Sequence, residues 1–325
     1  MSSLPIRNIS VVMALLALIC TGAFAQQPYP VKPIRLIVPF PAGASSDIVG
    51  RLLAQKISEQ MNEQVIADNR AGAGGNLGLA LAAKAPPDGY TIVIATASIA
   101  VSPSLYANPG YDAQKDLAPI ARLISVPNIL LVHPSVPAKT LRQFINLARA
   151  NPGKLNYGSG GAGTTNHLAN ELLKHLEKIN MVHVPYKGVT QAMTAMMGGE
   201  VDEVVMPIAS ALQQIRAGKV RALAVLADKR ITSLPDVPTS KEAGVDGFTM
   251  PLWYGMFAPA ATPREIVLRL NRELVKALES PDIRGRLAGL DTEPWPSTPE
   301  ELGELLRVDI ERYGTIVRSA GLAKQ

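Results

Sequence analysis

Strand, turn and helix follow one another in the stretch Ile34-Arg-Leu-Ile-Val-Pro-Phe-Pro-Ala-Gly-Ala-Ser-Ser-Asp47. Its first five residues form a short apolar run that predicts a buried β-strand over 34–38. Apolar residues then recur at helical spacing from 48 to 61, and a helix is predicted to start there with Ser45 or Ser46 as its N-cap. A strand joined to a helix by a glycine turn is the repeating unit of α/β proteins.

The same alternation continues along the chain. Helical spacing fills most of the segments between short apolar runs, with one helix predicted from about 165 and two late helices over 263–278 and 298–319. Further strands are predicted at 65–67, 91–95, 129–132, 155–157, 181–184 and 221–225. The sequence therefore predicts an α/β fold.

Length and composition limit the class of protein. The chain has 325 residues, 47% of them apolar and 18% charged, which excludes a disordered, collagen-like or coiled-coil protein. At roughly 100–200 residues per domain, two domains are expected. The net charge is +5 and the basic residues are scattered, so neither nucleic acid nor a membrane surface is predicted as a partner.

The first 25 residues have the pattern of a secretory signal peptide. Arg7 precedes an apolar stretch over 9–20, and Ala23-Phe-Ala25 is a small-residue cleavage site. Cleavage after Ala25 by the Sec pathway and a periplasmic location are predicted. Cys20 follows Ile19, which is not the small residue a lipidation signal needs, so ordinary cleavage is favoured. Cys20 is the only cysteine, which excludes a cysteine nucleophile or a disulfide in the mature chain.

Three glycine-rich stretches each follow a predicted strand and lead into a predicted helix. They cover 39–47, 69–78 and 157–167. Turns of this kind direct free N–H groups and the positive end of a helix dipole at one point, which favours an anion. The first and third stretches add hydroxyl groups, from Ser45, Ser46, Ser159, Thr164 and Thr165.

More specific motifs do not fit these loops. The glycines at 72, 74 and 78 are spaced one residue too widely for a dinucleotide-binding fingerprint, and Thr164 stands where a phosphate-binding loop needs lysine. A nucleophile elbow around Ser159 would need glycine where Tyr157 stands, although His167 keeps a secreted serine hydrolase open as an alternative. The four histidines lack metal-ligand spacing, so no metal and no cofactor are predicted.

Several short motifs in a fixed order resemble one family, the periplasmic substrate-binding proteins of tripartite tricarboxylate transporters, also called the Bug or TctC family. The resemblance covers essentially the whole mature chain. Its motifs are 29–35 with Val38-Pro-Phe-Pro-Ala-Gly43, Asn69-Arg-Ala-Gly-Ala-Gly-Gly75, Pro87-Asp-Gly-Tyr-Thr91, His183-Val-Pro-Tyr-Lys-Gly188, Leu234-Pro-Asp-Val-Pro-Thr239, Glu242-Ala-Gly244, Trp253-Tyr-Gly255 and Ala258-Pro-Ala260.

The resemblance implies a binding protein rather than an enzyme. It implies a two-lobe flytrap fold, each lobe a mostly parallel sheet flanked by helices, with lobe 1 over 26–127 plus 250–325 and lobe 2 over 128–249. A small organic carboxylate would lie between the lobes and pass to membrane subunits of a tripartite tricarboxylate transporter, with a monomer as the expected state. A sensory receptor for a carboxylate is the alternative within this fold.

The resemblance also implies which residues meet the ligand. Stronger candidates are Phe40, Ala42, Gly43, Ser45, Ser46 and Asp47 on one side and Ser159, Gly160, Gly163, Thr164 and Thr165 on the other. Weaker candidates are Ser98, Tyr186, Ala209 and Trp253.

Two departures from the family pattern bear on the ligand. Ala44 replaces a glycine beside the expected carboxylate, and Met206 stands where the family often has an acid. Because a thioether cannot pair with an ammonium group, an amine-free dicarboxylate or aromatic acid is predicted, with Met206 at the site.

Overall fold

The structure is a computed structural model that describes residues 29–250, 252–322 and 324. The predicted signal peptide, its cleavage site and Cys20 lie outside the described residues. Within the described part of the chain, no helix combines the length and the apolar character needed to cross a membrane.

The strands form two sheets. In chain order they are β1 Ile34–Val38, β2 Val65–Asn69, β3 Thr91–Thr96, β4 Leu117–Val126, β5 Asn128–Val132, β6 Asn156–Ser159, β7 Val182–Pro185, β8 Glu203–Pro207, β9 Arg221–Val225, β10 Leu252–Pro259 and β11 Glu293–Pro294. The first sheet has the order β11-β4-β10-β3-β1-β2, and the second has the order β7-β6-β8-β5-β9. The predicted strands at 34–38 and 221–225 have the observed bounds, whereas β4, β8, β10 and β11 were not predicted.

Helices cover both sheets. In chain order they are α1 Ser45–Met61, α2 Asn76–Ala83, α3 Ser98–Leu105, α4 Leu141–Ala150, α5 Thr165–Glu177, α6 Val189–Met197, α7 Ile208–Arg216, α8 Arg264–Glu279, α9 Pro281–Ala288 and α10 Pro299–Ser319. The two-lobe α/β class is confirmed, with one helix-flanked sheet in each lobe.

The sheets are mixed, however, and the prediction that they are mostly parallel was wrong. Strand β1 is parallel to β2 and β3, and β6 is parallel to β7 and β8, but β10 and β5 run antiparallel to their neighbours. The reason is the path of the chain. It leaves the first sheet through Pro127 directly into β5 and returns along β10, so both strands enter from the side at which β1, β3, β6 and β8 end.

The core of each sheet lies around these crossing strands. All eight residues of β10 and all five of β5 are buried. Each large apolar side chain buried in this way contributes about 1.5–3 kcal/mol to stability. Because β10 and β5 connect the two sheets as well as filling them, the ends of β1, β3, β6 and β8 are fixed facing one another. The predicted lobe boundaries, after 127 and after 249, stay a prediction.

Candidate functional site

A cleft lies where β1, β3, β6 and β8 end. Its cavity volume is about 40 Å³. Its lining from the first sheet is Phe40, Ala44, Ser45, Ser46, Thr96, Ser98, Leu252 and Tyr254, and from the second sheet Gly160, Thr164, Thr165, Asn166, Val189 and Pro207. The lining residues include hydroxyl, amide and apolar groups, and no side chain among them carries a charge.

Among the described residues, five helices begin at this cleft. The first residues of α1, α3, α5 and α6 line it, as does Pro207 just before α7. None of the five starts has a side-chain cap in the described structure. Two helices that begin elsewhere are capped, α4 by Thr140 and α10 by a Thr298 capping box. Free N–H groups and dipole ends therefore converge on the cleft, an arrangement that attracts an anion.

Residues 39–47, the first wall, are organised by one carboxylate. Asp47 is 4% exposed, and its two oxygens accept hydrogen bonds from the Gly43 N–H, the Asn69 amide and the Arg51 guanidinium, each at 2.9 Å. The same Asn69 amide donates to the carbonyl of Phe40 at 2.9 Å. Asp47 thus braces the wall from behind, and its oxygens are already engaged by protein donors.

Ser45 is placed differently from the prediction. The N-cap of α1 is Ala44, so the expectation of Ser45 or Ser46 as N-cap was wrong. Ser45 is the first helical residue and is 2% exposed, and its Oγ has no hydrogen-bond partner in the described structure. Its polar neighbour in the cleft is Tyr254, whose pKa is raised by burial and lowered to a lesser extent by a weak interaction with the Ser45 hydroxyl that does not meet normal hydrogen-bond geometry. A buried hydroxyl without a partner costs free energy unless a ligand completes it.

Residues 159–165, the second wall, are held by neutral groups. Ser159 is fully buried, and its Oγ accepts from the Gly161 N–H at 3.1 Å and lies 2.6 Å from Nε2 of His183. The Thr164 hydroxyl donates to the carbonyl of Gly161 at 2.7 Å, and the Gly160 N–H donates to the side chain of Asn166 at 3.2 Å. These hydrogen bonds form a network that holds the second wall, and none of the groups named in it carries a charge.

The hydrolase alternative does not fit this geometry. It paired Ser159 with His167, but the ring beside Ser159 is His183, while His167 accepts the Gly163 N–H at Nδ1 over 3.3 Å. A nucleophile must reach its substrate, and the Ser159 side chain is shielded from solvent.

The two sides of the cleft touch each other in this structure. The Tyr106 hydroxyl, just after α3, donates to the carbonyl of Ala162 in the second wall at 2.5 Å. A Cβ added to Gly163 would lie 2.6 Å from the Tyr106 ring, and one added to Gly188 would lie 2.7 Å from Pro41 in the first wall. Contacts this close at both edges describe a closed cleft.

The structure brings part of the predicted site together. Seven of the predicted residues line the cleft: Phe40, Ser45, Ser46, Ser98, Gly160, Thr164 and Thr165. The others are not part of this lining: Ala42, Gly43, Asp47, Ser159, Gly163, Tyr186, Met206, Ala209 and Trp253. Sequence reasoning missed Thr96, Asn166, Val189, Pro207, Leu252 and Tyr254. For Thr96 and Pro207, a strand end followed closely by a helix start was the available signal, whereas Leu252 and Tyr254 lie within β10 and carried no such signal.

Two of the residues outside the lining have clear structural roles. Met206 is 1% exposed within β8, and Pro207 beside it lines the cleft instead. The indole of Trp253 donates to the carboxylate of Asp309 at 2.6 Å. The prediction that Met206 itself excludes an amine therefore has no support. Only the absence of charged side chains among the lining residues argues against an amine in the ligand.

Comparisons with known proteins agree with this geometry. The model of the tripartite tricarboxylate transporter family receptor matches residues 49–322. A protein encoded between tcbD and tcbE in Pseudomonas sp. strain P51 is 38% identical over 298 residues, which cover 91% of this chain and 89% of that protein. Protein BugT of Bordetella pertussis is 35% identical, with 90% of each chain covered.

Solved structures give the same result. The periplasmic binding protein BugD is 34% identical, with a TM-score of 0.88 over 91% of this chain and all of BugD. An R. palustris protein solved with adipate is 33% identical, with a TM-score of 0.88 over 91% of this chain and all of its own. MatC from Rhodopseudomonas palustris, solved with malate, is 33% identical, with a TM-score of 0.86 over 89% of this chain and all of MatC.

Proposed function

The chain belongs to the tripartite tricarboxylate transporter receptor family, whose members are solute-binding proteins and not enzymes, and on that premise we propose that it captures a small, amine-free organic carboxylate in the cleft. The proposal includes delivery of this acid to a tripartite tricarboxylate transporter. Closure of the two lobes around the acid is the mechanism, because a ligand that contacts both walls binds the closed form more tightly than the open one.

One observation carries the proposal. Ser45 Oγ is buried, lines the cleft and makes no hydrogen bond of normal geometry, with Tyr254 as its weakly interacting neighbour, at a point where five uncapped helix starts converge. A carboxylate oxygen would accept a hydrogen bond from that hydroxyl and further hydrogen bonds from the free N–H groups, so no cationic side chain would be needed. The hydroxyls of Ser46, Ser98, Thr164 and Thr165 are further donors that we assign to the ligand.

The lining also supports an acid without an amine. An ammonium group in the closed cleft would find no carboxylate among the lining residues, so its charge would be desolvated without compensation. Apolar surface from Phe40, Val189 and Leu252 suits a short carbon chain or an aromatic ring. Malate and adipate, which are bound to two of the similar structures, are amine-free acids of this kind.

Calorimetry with matched ligands tests the proposal. The mature chain, residues 26–325, is titrated with malate and with aspartate, which carries an ammonium group in place of the hydroxyl, and separately with adipate and 2-aminoadipate. We expect at least one amine-free acid to bind at least about tenfold more tightly than its amine counterpart. Equal or tighter binding of both amino acids would contradict the amine-free assignment, and silence of every acid would contradict the function.

A matched pair of variants tests the observation itself. Ser45→Ala should weaken binding of the best acid about tenfold but leave the empty protein as stable as before, because a hydroxyl without a partner is removed. Thr262→Val is the control, since the Thr262 hydroxyl is also buried and unpartnered but lies outside the cleft lining. It should leave affinity unchanged. If Ser45→Ala lowered the stability but left the affinity unchanged, the assignment of the Ser45 hydroxyl to the ligand would be contradicted.

Location and delivery need tests in cells. The family consists of periplasmic binding proteins, and we propose export by the signal peptide, which predicts a mature protein that begins at Gln26 by mass spectrometry. Deleting the gene should abolish uptake of the bound acid if the protein serves a transporter. Unchanged uptake with a lost transcriptional response would favour the sensory alternative.

A further inference from the structure

Two histidine rings lie stacked behind the second wall. The ring centroids of His167 and His183 are 4.3 Å apart at an interplanar angle of 25°, and the Tyr157 ring lies nearly parallel to both, 4.9 Å from His183 and 6.5 Å from His167. His167 is 3% exposed. Neither histidine lines the cleft, and each is hydrogen-bonded to a residue of the second wall that lies outside the lining, His183 to Ser159 and His167 to Gly163.

The hydrogen bonds determine where the protons sit. The Gly163 N–H donates to Nδ1 of His167, so this nitrogen must be bare. Ser159 Oγ already accepts from the Gly161 N–H, and its own proton can go to Nε2 of His183 or to the carbonyl of Gly161, which lies 3.2 Å away. If Nε2 of His183 carries a proton, it donates to Ser159, and the serine must then turn its own proton to Gly161.

We propose that His183 is a positioning residue for the second wall, acting through Ser159 to set the backbone at Gly161 and so the N–H groups that meet the ligand. The inference rests on the proposed function, because it assigns His183 a role in ligand affinity. It goes beyond that function, because it makes the second wall sensitive to a proton that the ligand never touches.

The surroundings of His183 oppose its protonation. Burial, together with the neighbouring His167, lowers its pKa to about 4, and Lys174 on α5 acts in the same direction. Glu171, also on α5, opposes the shift, but its carboxylate already accepts hydrogen bonds from the Tyr157 hydroxyl and from Lys174. Glu203 on β8 is fully buried with a pKa raised well above its ordinary value, so it adds little negative charge beside the stack.

The sign of the pH effect follows. His183 is neutral in the folded protein well below the pH at which a free histidine gains a proton, so its contribution is complete above about pH 6.5 and is lost as the pH falls toward 4. Between pH 7.5 and pH 5 this group alone should raise the unfolding equilibrium constant about 25-fold. A purely packed aromatic ring would add no such dependence.

A double-mutant cycle on the mature chain tests the role of His183. His183→Leu and Ser159→Ala should each weaken binding of malate or adipate about tenfold at pH 7.5, and the double variant should be no weaker than either single variant. His183→Gln, whose amide can take the place of Nε2, should bind within about twofold of the unmodified protein. Losses that multiply in the double variant, or no rescue by glutamine, would overturn the proposal.

A second measurement needs no ligand. Between pH 7.5 and pH 5 the urea unfolding constant should rise about 25-fold less in His183→Gln than in the unmodified protein, whereas His175→Gln, an exposed control on α5, should keep the full rise. An equal pH dependence in His183→Gln would overturn the proposal even if no acid binds. Amide hydrogen exchange at Gly161 should be faster in His183→Leu than in the unmodified protein. If the pH dependence and the exchange rates both support the role of His183 but neither malate nor adipate binds, the proposed function alone is wrong.

Discussion

The two walls of the cleft are built on the same plan but braced in opposite ways. The first wall is held by the buried charge of Asp47, which gathers the Gly43 N–H, Asn69 and the half-exposed Arg51. The second wall is held by Ser159 and two imidazoles, with hydroxyl and amide groups in between. Both end in a glycine with positive φ and an uncapped helix start.

The difference separates two sources of rigidity. A carboxylate brace makes strong charge-assisted bonds and leaves several donors stranded when it is removed. A brace of neutral groups makes weaker hydrogen bonds, but where it includes a histidine, those bonds change when the imidazole binds a proton. The first wall should therefore dominate stability, whereas the second should dominate pH response and contact across the cleft.

The largest effect should distinguish the two glycines. Gly163 (φ +75°) faces the Tyr106 ring, while Gly43 (φ +79°) has no atom within 4 Å of an added Cβ. Gly43→Ala bears only the cost of the left-handed backbone, about 1 kcal/mol, whereas Gly163→Ala adds a collision and should cost about 3 kcal/mol. Urea unfolding measures both. Equal losses would mean that the contact across the cleft is absent in solution.

The next effect compares the braces. Asp47→Ala strands the Gly43 N–H, Asn69 and Arg51 and should lower the free energy of unfolding by about 2 kcal/mol, because Arg51 can still reach water. Ser159→Ala should cost about 1 kcal/mol, the value of neutral hydrogen bonds. Thermal or urea unfolding at pH 7.5 gives the order. The reverse order would refute the assignment of stability to the first wall.

The smallest effect concerns closure. Tyr106→Phe removes the hydrogen bond to Ala162 but keeps the ring, so the closed form should lose about 1 kcal/mol and affinity for the bound acid should fall about fivefold. Small-angle scattering with and without the acid measures the closed fraction. If the variant binds and closes like the unmodified protein, the Tyr106 bond does not stabilise the closed form.

Much of the fold could be predicted because its signals are local. The run at 34–38 and the apolar spacing of the late helices fixed elements whose observed bounds agree to within one residue, Ile34–Val38, Arg264–Glu279 and Pro299–Ser319. Strands β4, β8, β10 and β11 were missed because fully buried or proline-containing runs lack the alternation that marks a strand. The direction of β10 was missed for another reason, since it depends on the return of the chain from the second sheet.

The site could be predicted in part. Glycines and hydroxyl residues ahead of predicted helices located both walls, because the groups that form a helix N-terminus are neighbours in the sequence. The brace of the second wall could not be found in this way, since His183 is 24 residues from Ser159 in sequence and meets it only through the pairing of β6 with β7. Tyr254 was missed similarly, because the side of β10 that faces the cleft depends on the sheet.

The glycines at the edges of the cleft fix how far it can shut. The backbones of Gly74 and Ala162 approach so closely that a methyl group on Gly74 would collide, and a methyl group on Gly188 would collide with the Pro41 ring. Neither backbone atoms nor a proline ring can move aside by changing rotamer, so the closest distance that the two edges can reach is fixed. An acid that is too long would keep both edges apart. The separation of the two edges on the outer surface would then depend on the length of the bound acid, and a partner protein that contacts both edges would be sensitive to it.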